Sequence, residues 1–382
     1  MPNKKLKDNF IEFARSIYKE DFVPLHRPVF NGNEKKYLID AVDSNFVSSA
    51  GERVSDFENL VASYTKTKYA VATVNGTSAL HIALKMAGVQ KNDEVLTQAL
   101  TFVATCNALS YIDALPVFID VDLDTMGMSP KSLEEFLDKN VEIKNGIPIN
   151  KNSGRKISAC LPMHTYGMPC RIQEINEICK KFLIPVVEDA AESLGSFFNK
   201  KHTGTFGIVA AISFNGNKII TTGGGGMIIT NNKKIAIAAK HITTTSKIPH
   251  PYMFYHDEIG YNYRLPNINA ALGCAQMEQL DTFLKSKKKI HLAWKNFFAE
   301  YDIGFINEID GAVSNHWLNV ILFENIKMRN DFLEYTNKNK VMTRPAWEIM
   351  NNLPAFKNAE SDSLKNTKWL ADRLVNIPSS SP

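Results

Sequence analysis

From Tyr69 to Phe214 the chain repeats one pattern: a short run that is apolar almost throughout, then a stretch with helical spacing. The runs are YAVATV (69–74), EVLTQ (94–98), LPVFIDV (115–121), SACLPM (158–163), IPVVE (184–188) and IVAAISF (208–214). A strand with one face in water alternates apolar and polar residues, whereas a strand apolar on both sides has both faces covered. Such strands, separated by helices, predict an α/β fold with a mainly parallel sheet between helical layers. Leu80, Ala83, Leu84 and Ala87 fall at i, i+3, i+4 and i+7, with Gly88 placed to end that helix, and Ile172–Phe182 has similar spacing. The polar segment 140–157, with two glycines, reads as a surface loop.

After about residue 250 the rhythm changes. A helix rich in Ala, Leu and Gln (268–284) runs into KSKKK (285–289), read as a solvated helix face. Strand-like HWLNVILF (316–323) and helix-like NDFLEYTNKN (330–339) follow. The expected division is a peripheral N-terminal helix (1–22), a large domain (23–250) and a small α+β domain (251–382), in keeping with a chain of 382 residues. The 44 Lys and Arg exceed the 40 Asp and Glu by only four, spread along the chain, so no nucleic-acid-binding face is expected. With no apolar run of membrane-spanning length, no secretory signal and five cysteines without a C-x-x-C pair, a cytoplasmic location off the membrane is expected.

Three features sit at ends of the apolar runs, where open α/β sheets hold ligands. Asn75-Gly76-Thr77-Ser78 joins a strand to a helix start, which offers free N–H groups to an anion or is simply a capped helix. Asp189 ends another strand; it faces a cation or protonated heterocycle, or it caps a following helix in a box with Glu192. Lys218 lies between the strand ending SFNGN and the run Gly223 to Gly226; it is a desolvated amine nucleophile or a surface lysine beside a flexible turn. A phosphate cradle, a strand-end carboxylate and a glycine-flanked lysine are together what pyridoxal 5′-phosphate (PLP) requires. Metals are not expected. Asp120, Asp122 and Asp124 lack the rest of a calcium loop and read as a turn, and Cys160, His164 and Cys170 match no zinc spacing.

Several ordered motifs now converge: VPLHRPVFNGNE (23–34), NGTSAL (75–80), TFVATCNAL (101–109), HTYGMP (164–169), EDAAESLGS (188–196), SFNGNK (213–218) and GYNYRLPNINAALG (260–273). Over nearly the whole chain they resemble the DegT/StrS family of PLP-dependent nucleotide-sugar aminotransferases. The resemblance implies the type I aminotransferase fold, a mostly parallel mixed sheet with a smaller C-terminal α+β domain, in a homodimer with shared active sites. It implies that Lys218 carries PLP as a Schiff base, that Asp189 pairs with the pyridine nitrogen and that Glu192 lies near the 3-hydroxyl. Phe102 would stack on the ring. Gly76, Thr77 and Ser213 would contact the phosphate, and Asn262 would reach it from the other subunit.

Two departures bear on sugar specificity: four glycines at 223–226, where many relatives carry Gly-Glu-Gly-Gly, and Asn215, where many carry His, Asp or Tyr. SFNGNK with IITTGGGG most resembles a subgroup acting on UDP-4-keto-6-deoxy-N-acetylglucosamine, on routes to legionaminic acid, bacillosamine and related surface sugars, with L-glutamate as amino donor. The alternatives are a GDP- or dTDP-linked keto sugar of the perosamine type, a dehydratase on the same scaffold, a non-catalytic PLP-binding regulator and a plain nucleotide-binding α/β protein. Lysine at 218 argues against the dehydratases, which carry histidine there.

Overall fold

Neighbouring residues of each central strand are buried against different helices. The computed structural model describes residues 4–382. Its central strands are β1 (Tyr69–Thr73), β2 (Glu94–Gln98), β3 (Leu115–Ile119), β4 (Ile157–Leu161), β5 (Val187–Asp189), β6 (Val209–Ser213) and β7 (Gly226–Thr230). Val71, Val95, Ala211 and Ile228 pack with Ala79, Leu80, Ile82 and Ala83 of α4 (Gly76–Met86). Their chain neighbours Ala72, Ile212 and Ile229 pack on the opposite side, with Phe57 and Val61 of α3 (Glu52–Thr65). Leu96 and Cys160 meet α6 (Pro130–Asn140) and α7 (Ile172–Lys181). The period of two is therefore present in burial partner but hidden in composition, because both faces are apolar.

The strands form sheets ordered β3-β2-β4 and β5-β6-β7-β1, joined by parallel bridges Cys160–Val186 and Met163–Asp189. β7 runs antiparallel to both neighbours, and the other pairings of these strands are parallel. The C-terminal ends of β5 and β6 and the N-terminus of α4 thus meet on one edge. Gly88, just past α4, has φ of +89°, as its place after the helix requires.

Several expectations are corrected. Residues 140–157 are not an open loop: Val141–Lys144 and Ile147–Asn150 pair as a hairpin. Asn145 and Gly146, both at positive φ, make the tight turn that right-handed strand twist favours. The N-terminal helix α1 (Lys4–Tyr18) is not peripheral; residues 1–3 of that predicted segment lie outside the described residues. Phe10 is fully buried against Trp294 and Phe332, each 4.9 Å between ring centroids. The chain after α1 stays with the C-terminal part, Val23 bridging to Val341.

Residue 250 is followed by α9 (Asn267–Phe298), a helix of 32 residues that takes part in two hydrophobic clusters. Ala270 and Cys274, in its first half, pack with Val54 and Phe57, while Ile290, Trp294 and Phe298 join the α1 cluster. The small residues of 268–280 serve packing within the chain: a Cβ on Gly273 would lie 2.8 Å from the Phe57 ring. Residues around Met350, Phe356 and Leu364 return to the large domain beside Phe118. The KSKKK stretch continues α9, and its Lys287 is 1% exposed, not solvated.

The small domain is an antiparallel sheet ordered β8 (Gly304–Phe305), β9 (Asn319–Leu322), β11 (Leu374–Ile377), β10 (Arg344–Pro345), with α10 (Ile326–Lys338) beside it. All five cysteines are buried and free. Among the described residues no helix is long and apolar enough to cross a membrane.

Because Phe10 fills the contact between α1, α9 and α10, Phe10→Ala should cost about 3–5 kcal/mol. Urea denaturation measures this; a loss under about 1 kcal/mol would return α1 to the periphery.

Candidate active site

β5 brings two adjacent carboxylates to the edge of the sheet and points them to opposite sides. Glu188 accepts backbone N–H groups of Gly204 (2.7 Å), Phe206 (2.6 Å) and Gly207 (2.6 Å), and lies 3.0 Å from His164 Nε2. It fastens the loop that leads into β6. His164 accepts the Cys170 N–H at Nδ1 (3.2 Å), so both ring nitrogens are used within this network.

Asp189 turns instead into the cavity and is 1% exposed. Thr105 donates its hydroxyl to Oδ2 (2.7 Å) and Ala191 its N–H to Oδ1 (3.1 Å). Burial nevertheless holds this carboxyl above the usual aspartate range, against the pull of those donors and of Lys218.

No helix follows Asp189, so the capping box does not form. Glu192 is used otherwise: Oε2 accepts the Tyr166 N–H (2.9 Å) and Oε1 faces Lys218 Nζ at 3.0 Å. Burial pushes the Glu192 carboxyl up to about 7, although Lys218 pulls it down. The Lys218 side chain is 13% exposed, which removes the surface-lysine reading. Its loop leaves β6 and returns as β7, closed by Phe214 N–H to Gly225 O (2.9 Å) and Thr222 N–H to Phe214 O (3.0 Å). The last glycine of the run has a packing reason: a Cβ on Gly226 would lie 2.3 Å from Asn75 O, so β7 can begin only where no side chain intervenes.

Asn75 caps α4, its side chain accepting the Ser78 N–H at 2.8 Å. The first turn of α4, whose amides have no acceptor inside the helix, forms one wall of the cavity with Gly76 and Thr77. Gly76 is needed there, since a Cβ would stand 2.8 Å from the Ser213 Cβ.

A cavity of about 290 Å³ is lined by Gly76, Thr77, Phe102, Asp189, Glu192, Ser213 and Lys218, seven of the eight expected site residues. Asn262 is not among them. It is exposed, and its Oδ1 accepts from Arg264 Nε (3.1 Å) and Nη2 (3.0 Å). Thr105, Asn217, Trp317 and Trp347 also line the cavity and were not anticipated. The tryptophans come from the C-terminal part, and Trp347 stands 6.0 Å from the half-exposed ring of Phe102. Their one sequence signal is rarity, four tryptophans in the chain, and nothing local ties them to Lys218. The aspartate triplet is a fastened turn: Asp122 and Asp124 pair with Arg171 at 2.6 Å each, and Asp120 accepts the Asn366 and Thr367 N–H groups.

The donor set fits PLP group by group: amides at a helix start for phosphate, a buried carboxylate for a ring nitrogen and a primary amine for an aldehyde. The sequence profile of the DegT/DnrJ/EryC1/StrS aminotransferase family matches residues 29–382. The chain belongs to this family. It is 36% identical to EpsN of Bacillus subtilis, assigned as a pyridoxal phosphate-dependent aminotransferase, over 94% of this chain and 90% of that one. It is 34% identical to a GDP-perosamine synthase of Escherichia coli O157:H7, over 94% and 93%. Among solved structures, PseC of Helicobacter pylori, an aminotransferase of pseudoaminic acid biosynthesis, superposes with a TM-score of 0.84 at 20% identity, covering 94% of this chain and 93% of that one. The fold is the type I aminotransferase fold, and the protein is a PLP-dependent sugar aminotransferase.

The tightness at Gly76 gives a direct check on the cradle. Gly76→Val should leave the fold intact by circular dichroism yet weaken PLP binding at least about tenfold, or about 1.4 kcal/mol. Absorbance titration of cofactor-free protein reads it; unchanged affinity would remove α4 from the cofactor site.

Proposed function

We propose that this aminotransferase moves an amino group from L-glutamate to C4 of a UDP-linked 4-keto-6-deoxy-N-acetylhexosamine destined for a bacterial surface glycan. The observation that carries transamination is the convergence of Lys218, Asp189 and the start of α4 on one cavity. The UDP-linked substrate is supported by the SFNGNK and four-glycine pattern. A second reading, a GDP-linked 4-keto-6-deoxyhexose, is favoured by the 34% identity to a GDP-perosamine synthase.

When bound, PLP supplies an electron sink for the bond broken at the donor's α-carbon. The rest falls to the chain. Asp189, desolvated and held by Thr105 and Ala191, pairs with a protonated ring nitrogen, which relieves the burial that otherwise raises its own proton affinity. Gly76, Thr77 and Ser213 would hold the phosphate, and Phe102 would offer a flat apolar face to the ring. Lys218 would supply the amine that holds the aldehyde; once free, it would take the proton from the donor's α-carbon as base and deliver it as acid to the carbon that had borne the aldehyde. Glu192 is the carboxylate against which the free amine rests, at 3.0 Å, and would lie near the 3-hydroxyl. The keto sugar then enters and the proton moves the opposite way.

The test of substrate is a panel of UDP-, GDP- and dTDP-linked 4-keto sugars with glutamate, read by mass spectrometry. The UDP-linked N-acetyl sugar should be aminated with kcat/KM at least about tenfold above the others. Preference for a GDP-linked sugar would replace the first reading with the second.

The exposed Asn262, outside the cavity of its own chain, supports a homodimer in which it reaches the partner's phosphate site. Lys218→Ala and Asn262→Ala chains should each be severely impaired alone. Under subunit exchange a heterodimer has one site with both lesions and one with neither, so activity should partly return. A fully active monomer, or no recovery despite confirmed exchange, would rule out the shared site.

A further inference from the structure

The buried lysine of KSKKK leads to an unassigned element of the site. Lys287 is 1% exposed on α9, and burial disfavours its ammonium strongly. Its Nζ donates to the backbone carbonyls of Trp317 (3.2 Å) and Ser379. Trp317 is then tied at each of its polar groups. Its N–H donates to Asn315 Oδ1 (2.8 Å), its carbonyl takes Lys287, and its indole N–H donates to Asn217 O (2.6 Å). With the edges fixed, the ring face meets Lys218 Nζ at 4.0 Å from the centroid.

Two of these ties end on the machinery itself. Asn217 precedes Lys218, so the indole N–H holds the backbone that carries the lysine. Asn315 donates its side-chain amide to the carbonyls of Glu192 (2.8 Å) and Leu194 (2.9 Å), so the same segment also holds the residue on the other side of the amine. The Lys218 amine lies between the Glu192 carboxylate and the Trp317 ring, both 4% exposed or less.

We infer that Trp317 is a positioning residue for the free Lys218 amine, and that Lys287, from the far side, fixes Trp317. A lysine cation over an indole face is favoured over its neutral form, so the ring holds the amine in place beside the Glu192 carboxylate. The other charged or titratable groups facing that amine are Glu192, Asp189 and His26. Lys287 carries no role toward substrate; it replaces what an apolar residue of the same length would leave open, a fastening for the 315–317 backbone.

The inference rests on Lys218 being the acting amine, as in the proposed function, but its main test needs no sugar. In cofactor-free protein, competitive acetylation across pH with peptide mass spectrometry titrates the Lys218 amine. Trp317→Leu should lower its apparent pKa by about 0.5–1 unit, because a cation–π contact is lost. Trp317→Phe, which keeps a ring but loses the indole N–H, should fall between. Lys287→Met should shift the titration in the same direction as Trp317→Leu, and Lys287→Gln, which retains a donor, should shift it less. In loaded enzyme, Trp317→Leu should lower kcat about tenfold with the KM for keto sugar within about twofold. A titration unchanged within about 0.2 unit in Trp317→Leu overturns the inference. So does a raised KM with unchanged kcat, which would make Trp317 a wall of the substrate site. If both Lys287 variants titrate as wild type, or neither folds while the Trp317 variants titrate as wild type, Lys287 is structural only and its part is refuted.

Discussion

A carboxylate kept out of water at the end of a strand costs free energy until a cation meets it, and the arrangement around Asp189 follows from that cost. Thr105 and Ala191 each give it a hydrogen bond, but neither brings charge. The nearby cation, Lys218, is engaged by Glu192 instead. The chain therefore carries an acid whose electrostatic need its own hydrogen bonds leave unmet, and the proposed function answers it with a protonated ring nitrogen. Glu188, one residue earlier, shows the contrast: the same burial is answered by three backbone donors and His164, and its carboxyl is held below the ordinary glutamate range. Adjacent residues of one strand, facing opposite ways, take a structural and a chemical part.

The layout of the site depends on backbone closeness as much as on side chains. β7 passes the cap of α4 with no room for a Cβ at Gly226, and α4 starts against Ser213 with no room for one at Gly76. These contacts bring the helix start and the Lys218 loop to one cavity, although more than 130 residues separate them in the chain. Within the glycine run, Gly225 and Gly226 are thus required by packing, whereas a Cβ on Gly223 or Gly224 would meet only ordinary contact distances.

How much of this could be read from the sequence depends on the range of the interactions. The central strands were legible because burial on both faces leaves a composition no other element has. Gly88 was legible because a helix end needs positive φ. Asp189 with Glu192 misled, since the spacing of a capping box is local while the partner that claimed Glu192 is 26 residues away. The hairpin at 141–150 was missed although Asn145-Gly146 is a strong turn signal, because each strand is only four residues long and is flanked by polar residues. Lys287 misled for the opposite reason: four of the five residues of KSKKK fit a charged face, and only the third dimension shows which position of the turn points inward. Trp317 and Trp347 reach the cavity by tertiary packing alone, and no local pattern announces that.

The helix α9 begins in one hydrophobic cluster and ends in another, 32 residues without a break. At 1.5 Å per residue it spans about 48 Å. It packs against Phe57 near its start and, through its own Trp294, against α1 near its end, so one hydrogen-bonded element ties the two clusters together. Lys287 lies between these two anchors, so a shift of one end of the helix relative to the other passes through the residue that holds the backbone of Trp317.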